Sequence, residues 1–177
     1  MFFVRQWAAI VLLGLAGCQS DLDPSGDDKR PAVQTGVIGN QVGQIAPDFV
    51  LESTLNTFYT LSSEYGTHEG VVLYFTMWCP VCDSHMSHMR TTYVPKYPNV
   101  RFFIVDYVNA TVSDARTSQL NSGYGDLTVL ADVNRVVLNL YDGTMGSTVV
   151  VDRFGVVRMN QDYSDGSKLG QVLGSLP

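Results

Sequence analysis

The stretch Val71-Val72-Leu73-Tyr74-Phe75-Thr76-Met77-Trp78-Cys79-Pro80-Val81-Cys82 decides the fold. Its first half, Val71 to Phe75, is an unbroken run of β-branched, aliphatic and aromatic residues. A strand buried on both faces reads this way, and such strands belong to sheets covered by helices. From Pro80 to about Tyr93 the spacing turns helical, with Cys82, Met86, Met89 and Tyr93 on one face. Pro95 and Pro98 end that helix. The pair Cys79/Cys82 therefore sits where a buried strand hands over to a helix. The first turn of a helix carries unpaired N–H groups and the positive end of the dipole. A thiolate there is stabilised, which makes the sulfur reactive near neutral pH. Pro80 suits the first helical position, where its missing N–H would have no partner. Two intervening residues let the sulfurs meet, so the pair can pass between dithiol and disulfide through a mixed disulfide.

Working outward, the same alternation continues. Arg101 to Val105 reads as a second buried strand and Leu127 to Leu130 as a short one. Ser113 to Leu120 is expected to be a helix capped by Ser113, and Asn134 to Tyr141 another. Thr148–Val151 and Val156–Met159 flank Asp152-Arg153-Phe154-Gly155, which is a hairpin signal. Ser167 to Leu176 closes as a helix. Strands interleaved with helices, then a hairpin, then a helix, predict an α/β three-layer sandwich around a central mixed sheet.

The chain of 177 residues is 45% apolar and 16% charged, with a net charge of −6. These values fit one packed domain plus a tail. The acidic balance argues against a nucleic-acid binder, which needs a basic face for phosphates. Three cysteines are too few for a disulfide-framework mini-protein.

The N-terminus has a different character. An apolar run from Trp7 to Gly17 follows the single charge Arg5. It spans 11 residues, whereas a membrane-spanning helix needs about 20. It reads as the core of a signal peptide. The run ends in Leu15-Ala16-Gly17-Cys18, which resembles the lipobox of bacterial lipoproteins. That resemblance implies removal of residues 1–17 and lipidation of Cys18. The loss of Arg5 leaves 10 of the 11 basic side chains against 17 acidic ones, a net −7. Residues 18–42 read as the lipidated N-terminus and a flexible tether, rich in Asp, Gly, Ser and Pro from Asp21 to Pro31. Gln19 after the cysteine implies outer-membrane sorting by the enterobacterial rule, hence a lipid-anchored protein of the bacterial envelope facing the periplasm.

Residues 43–177 resemble the thioredoxin-like superfamily, and within it the redoxin or AhpC/TSA branch. Gly43-Gln44-Ile45-Ala46-Pro47-Asp48-Phe49-Val50-Leu51 matches that branch's opening "G-x-x-A-P-D-F-x-L". The stretch ending in Trp78-Cys79-Pro80-Val81-Cys82 matches its core strand followed by W-C-x-x-C. Val129 to Asp132 with Tyr141, and Val149 to Val157, match two later segments in the right order. The resemblance implies thiol-disulfide exchange, with Cys79 the attacking sulfur, Cys82 the resolving one, and Trp78 covering the site. Expected partners are cysteine-containing proteins or a thiol electron donor; no metal or other cofactor is called for.

Two departures from the family stand out. Thioredoxin-like reductases place a cis-proline before the hairpin strand, facing the cysteines; here that position falls on Gly146, with a trans bond expected. Peroxiredoxins carry an arginine there, and a threonine three residues before the reactive cysteine. Aligned on Cys82, the threonine position is held by Cys79, which weakens a peroxidase reading. Second, His85 stands one helical turn past Cys82, where many membrane-tethered relatives have glutamate. A histidine there can take a proton from Cys82 or hold its thiolate; the bland alternative is a surface histidine. Met77, Cys79, Cys82, His85, Met86, His88 and Met89 also form a soft-ligand set suited to Cu(I). The sequence thus predicts a membrane-anchored thiol-disulfide oxidoreductase, with a thiol peroxidase, a copper-delivery module and a non-catalytic redoxin scaffold as alternatives.

Overall fold

The computed structural model describes residues 34–177. The expected signal peptide, Cys18 and most of the tether lie outside the described residues. Among the described residues no helix is long and apolar enough to cross a membrane.

The chain begins with a short antiparallel pair, β1 (Val50–Glu52) and β2 (Phe58–Thr60), followed by α1 (Leu61–Thr67). Neither the pair nor α1 was readable from periodicity, because each is too short to show one. Asp48 of the opening motif explains where α1 starts. Its carboxylate accepts the Ser62 backbone N–H at 2.9 Å and the Ser62 hydroxyl at 2.6 Å, so it satisfies a donor of the first turn in place of a capping side chain.

The central sheet has five strands: β3 (Gly70–Thr76), β4 (Val100–Asp106), β5 (Thr128–Ala131), β6 (Ser147–Asp152) and β7 (Val157–Asp162). Their order is β5-β4-β3-β6-β7. β3, β4 and β5 are parallel, whereas β6 is antiparallel to β3 and β7 to β6. The sheet is mixed, as expected, and β3 lies at its centre with every residue buried. Alternation along β3 splits the core in two. Val71, Leu73 and Phe75 face one side with Leu61, Val137 and Tyr141. Val72 and Tyr74 face the other with Cys82, Met86, Met89 and Leu169. Helices on both sides give the three layers.

The remaining helices are α2 (Pro80–His88), α3 (Val112–Asn121), α4 (Val136–Leu140) and α5 (Ser167–Leu173). Three expectations need correction. The predicted helix from Pro80 runs to Tyr93, but its last turn, Met89–Tyr93, widens to π-helical geometry. The cap of α3 is Thr111, whose hydroxyl accepts the Asp114 N–H at 3.0 Å, rather than Ser113. Two serine/threonine hydroxyls lie two residues apart there, and composition alone does not choose between them. The final helix also stops at Leu173, short of the expected Leu176.

The hairpin turn follows its sequence signal. Asp152 is fully buried; its carboxylate accepts the Phe154 and Val156 N–H groups, both at 2.9 Å, and Arg158 Nε at 2.6 Å. Gly155 takes φ +79°, and a Cβ there would come within 2.9 Å of the Tyr65 ring, so only glycine fits this turn.

Candidate active site

The two cysteines lie at the carboxyl end of β3, at the first turn of α2. β3 ends at Thr76, and the chain turns through Met77 and Trp78, the latter at φ +59°. A tryptophan in the left-handed region is uncommon and needs anchoring. The Thr76 hydroxyl accepts the Trp78 N–H at 3.1 Å, and the Trp78 indole N–H donates to Asp106 at 2.7 Å. Asp106 ends β4, is 1% exposed, and also accepts Val108 N–H, Asn109 N–H and the Asn109 side-chain amide.

Cys79 is the N-cap of α2, and its sulfur accepts the Cys82 backbone N–H at 3.2 Å. Pro80 occupies the first turn, as predicted. The two sulfurs lie 2.7 Å apart as free thiols, Cys79 half-buried and Cys82 fully buried. They form a tightly coupled pair, in which one thiol holds the other's thiolate. Burial works to raise the Cys82 thiol. The Cys79 thiol, the backbone at Met77 and Cys79, and the Thr76 hydroxyl outweigh it by hydrogen bonding, and the net direction is downward.

Thr76 was missed in the sequence. Counting back three residues from Cys82 lands on Cys79, but the same count from Cys79 lands on Thr76. Alignment on the outer cysteine would have found it.

His85 does not meet either sulfur. No hydrogen bond joins it to Cys79 or Cys82 among the described residues; its Nδ1 lies 3.0 Å from the Tyr74 hydroxyl. Tyr74 is fully buried on β3, in the same core as Cys82. Burial first, then the negative charge and hydrogen bond of Cys82, push the Tyr74 phenol far above its ordinary value. His85 moves the other way. Loss of solvent lowers it, His88 adds to that, and the Asp162 carboxylate partly opposes it.

Gly146 lies on the hairpin side of the pair with a trans peptide bond and φ +84°. Its N–H donates to the Phe75 carbonyl at 3.0 Å, and its own carbonyl accepts the Tyr163 N–H at 2.9 Å. A Cβ at Gly146 would face the His85 ring at 3.7 Å; Trp78, Cys79, Pro80 and Cys82 share the β3–α2 junction, whereas His85 contacts Tyr74 and not the sulfurs.

The soft-ligand set is split apart. Met86 and Met89 are buried in the core, and Met77 is exposed. His88 Nδ1 is hydrogen-bonded to the Tyr163 hydroxyl at 3.0 Å. A separate cavity of about 320 Å³, lined by Asp48, Phe49, Glu52, Ala131, Asp132 and Val136, contains neither cysteine.

Among solved structures the chain is similar to several thioredoxin-like proteins. It shares 21% identity with a provisionally assigned protein disulfide isomerase from Bacteroides thetaiotaomicron, covering 76% of this chain and 86% of that one, with a TM-score of 0.65. It shares 25% identity with a provisionally assigned thiol:disulfide interchange protein DsbE from Chlorobium tepidum, covering 77% and 97%, with a TM-score of 0.62. A secreted Mycobacterium tuberculosis disulfide oxidoreductase homologous to DsbE is 19% identical over 72% and 96% of the two chains, with a TM-score of 0.57. No curated protein matches the chain. The AhpC/TSA family model matches residues 42–160, more than half of the sequence, and the chain belongs to that family within the thioredoxin-like fold.

Proposed function

We propose that the protein is a thiol-disulfide oxidoreductase in which Cys79 exchanges with a cysteine of a protein partner or thiol donor and Cys82 resolves the mixed disulfide. The observation that carries this reading is the asymmetry of the pair: two free thiols meet at a helix start, one reachable and one fully buried. A partner sulfur can approach Cys79 in line, whereas Cys82 can attack only from within. The hydrogen bonds that favour a thiolate in the pair supply the nucleophile. The likeness to DsbE-type proteins supports the same chemistry. The lipobox-like Leu15–Cys18 segment adds that the enzyme works outside the cytoplasm, tethered by lipid on Cys18.

The test is trapping. With an oxidised protein substrate, Cys82→Ser is expected to accumulate a mixed disulfide through Cys79, and Cys79→Ser to accumulate none. A wild-type disulfide that neither glutathione nor thioredoxin reduces, together with no trapped species, would refute the reading. Thr76 favours a second reading, a thiol peroxidase, because a threonine stands three residues before Cys79. Hydroperoxide consumption by the reduced protein separates the two.

A further inference from the structure

The cavity of about 320 Å³ beside the end of β5 has walls of two kinds. Phe49, Val112 and Val136 are apolar, whereas Asp48, Glu52 and Asp132 are acidic. Among the described residues no lysine, arginine or histidine lines it. Arg135, next to Val136 in the chain, is engaged elsewhere, with its Nε donating to the Tyr107 carbonyl at 3.2 Å. One of the carboxylates is left incomplete. Asp132 is fully buried, and one of its oxygens, Oδ2, accepts the Leu138 N–H at 2.8 Å. Its other oxygen, Oδ1, is buried with no hydrogen-bond partner. A buried acceptor without a donor costs free energy. A cation in the cavity would offset that cost, because charges attract strongly where water is excluded. The helix starts beside the cavity do not reverse its sign. α3 already carries Asp114 in its first turn, and α4 receives the Asp132 carboxylate itself.

The cavity has a fixed place relative to the thiols. In the parallel register Thr76 of β3 pairs with Asp106 of β4, and Asp106 pairs with Ala131 of β5, which lines the cavity. Neighbouring strands lie about 4.8 Å apart, so Ala131 stands about 10 Å from Thr76, where β3 ends before the thiols. An extended peptide advances about 3.3 Å per residue, so about three or four residues cover that span. The cavity lies on the β4–β5 side of the pair, whereas Gly146 lies on the β6 side. Val108 follows the end of β4, the strand between, and at 39% exposure gives the path an apolar surface.

We propose that this cavity binds a lysine or arginine side chain of the protein whose cysteine exchanges with Cys79, about three or four residues from that cysteine. This rests on the oxidoreductase reading above. The apolar stem of such a side chain lies along Phe49 and Val136, and its cationic head meets the acidic wall. The net charge of −6 draws basic partners toward the molecule from a distance, and the cavity gives that attraction a position. The site thereby selects which cysteine of a partner reacts, while the exchange itself stays with Cys79 and Cys82.

Reaction of the reduced full-length protein with short peptides tests this. Each peptide has a single cysteine joined through a disulfide to a nitrobenzoate thiol, with alanine elsewhere except at one varied position. The Cys79 thiolate attacks the peptide sulfur, the new disulfide forms, and the nitrobenzoate leaves as a coloured thiolate. Lysine or arginine about three or four residues to one side of the cysteine is expected to raise the second-order rate about tenfold over alanine, as a hydrogen bond to a charged group would. Glutamate there is expected to lower it. In Val136→Lys the chain supplies its own cation, and the lysine-to-alanine ratio is expected to fall to about one. Val136 is 50% exposed, so this variant leaves the core alone and serves even if Asp132→Asn, expected to lower the same ratio, fails to fold. A wild-type ratio within about twofold of one at every position overturns the site. So does a lysine effect equal at all positions, which reports net charge only, or one that survives Val136→Lys. Failure of the wild type to react with any peptide or with the free nitrobenzoate disulfide would instead remove the oxidoreductase reading, and the site with it.

Discussion

At the scale of single residues, Asp106 does the most for the site without touching sulfur. It is a carboxylate at 1% exposure that accepts four hydrogen bonds, from Trp78, Val108 and twice from Asn109. That carboxylate, with the Thr76 hydroxyl, anchors Trp78 at its unusual φ immediately before Cys79 begins the helix. Removing one donor leaves three, so Trp78→Phe is expected to cost about 1–2 kcal/mol. Asp106→Ala strips the acceptor from all four buried or half-buried donors and is expected to cost about 3 kcal/mol or more. Urea unfolding midpoints check both; equal losses in the two variants would contradict this account. No sequence pattern announced Asp106, because its tryptophan partner stands 28 residues away. The two meet only once β4 is laid beside β3.

At the scale of elements, the β3–α2 junction and the turn at Gly146 set the site's shape together. The resemblance to thioredoxin-like reductases puts Gly146 at the position of their proline, which raises the question of whether proline would fit there. It would not. Gly146 has φ +84° and donates its N–H to Phe75, and proline permits neither. Gly146→Pro is therefore expected to destabilise by about 3 kcal/mol or more. It should also displace Tyr163, whose N–H binds the Gly146 carbonyl. Denaturant unfolding with tyrosine fluorescence reads both effects, and a variant as stable as wild type would show that the turn is plastic. The absence of proline was plain in the sequence. What fills the space was not, since His85 arrives from a different element.

At the scale of the whole molecule, four tyrosines are fully buried: Tyr74, Tyr124, Tyr141 and Tyr163. Each hydroxyl has a partner, namely His85, Asp83, the Pro47 carbonyl and His88. Burial raises all four phenols far above the ordinary value of 10.0. A group raised in the folded state keeps more protons there than in the unfolded chain, so its stabilisation is full below pH 10 and is lost as pH climbs beyond it. The protein is expected to unfold cooperatively in alkali, with these phenolates appearing together on unfolding. A smooth titration of all nine tyrosines near pH 10 with the fold intact would refute this. His85 acts at the other end. Its folded value is lowered, so the unfolded chain binds more protons, and stability falls as pH drops below 6.5. His85→Gln should flatten that slope.

Much of the architecture was determined by the sequence alone. The run Val71–Phe75 is buried strand because its apolar residues leave no polar face, and Cys79-Pro80-Val81-Cys82 starts a helix because proline suits the first turn. Spacing of two residues was enough to bring the sulfurs together. The Asp152–Gly155 turn and the burial of Met86 and Met89 followed from local pattern as well. What only the tertiary structure decided is what surrounds the sulfurs. Sequence distance placed His85 near Cys82, one turn away on the same helix. The fold instead turns the His85 ring to the Tyr74 hydroxyl of β3 and packs Tyr163 from beyond β7 against it. Strand alternation sends Tyr74 toward α2, whereas which side chain it meets there depends on how the helix is rotated over the sheet. That rotation is fixed by packing among residues far apart in the chain, so no local pattern carries it.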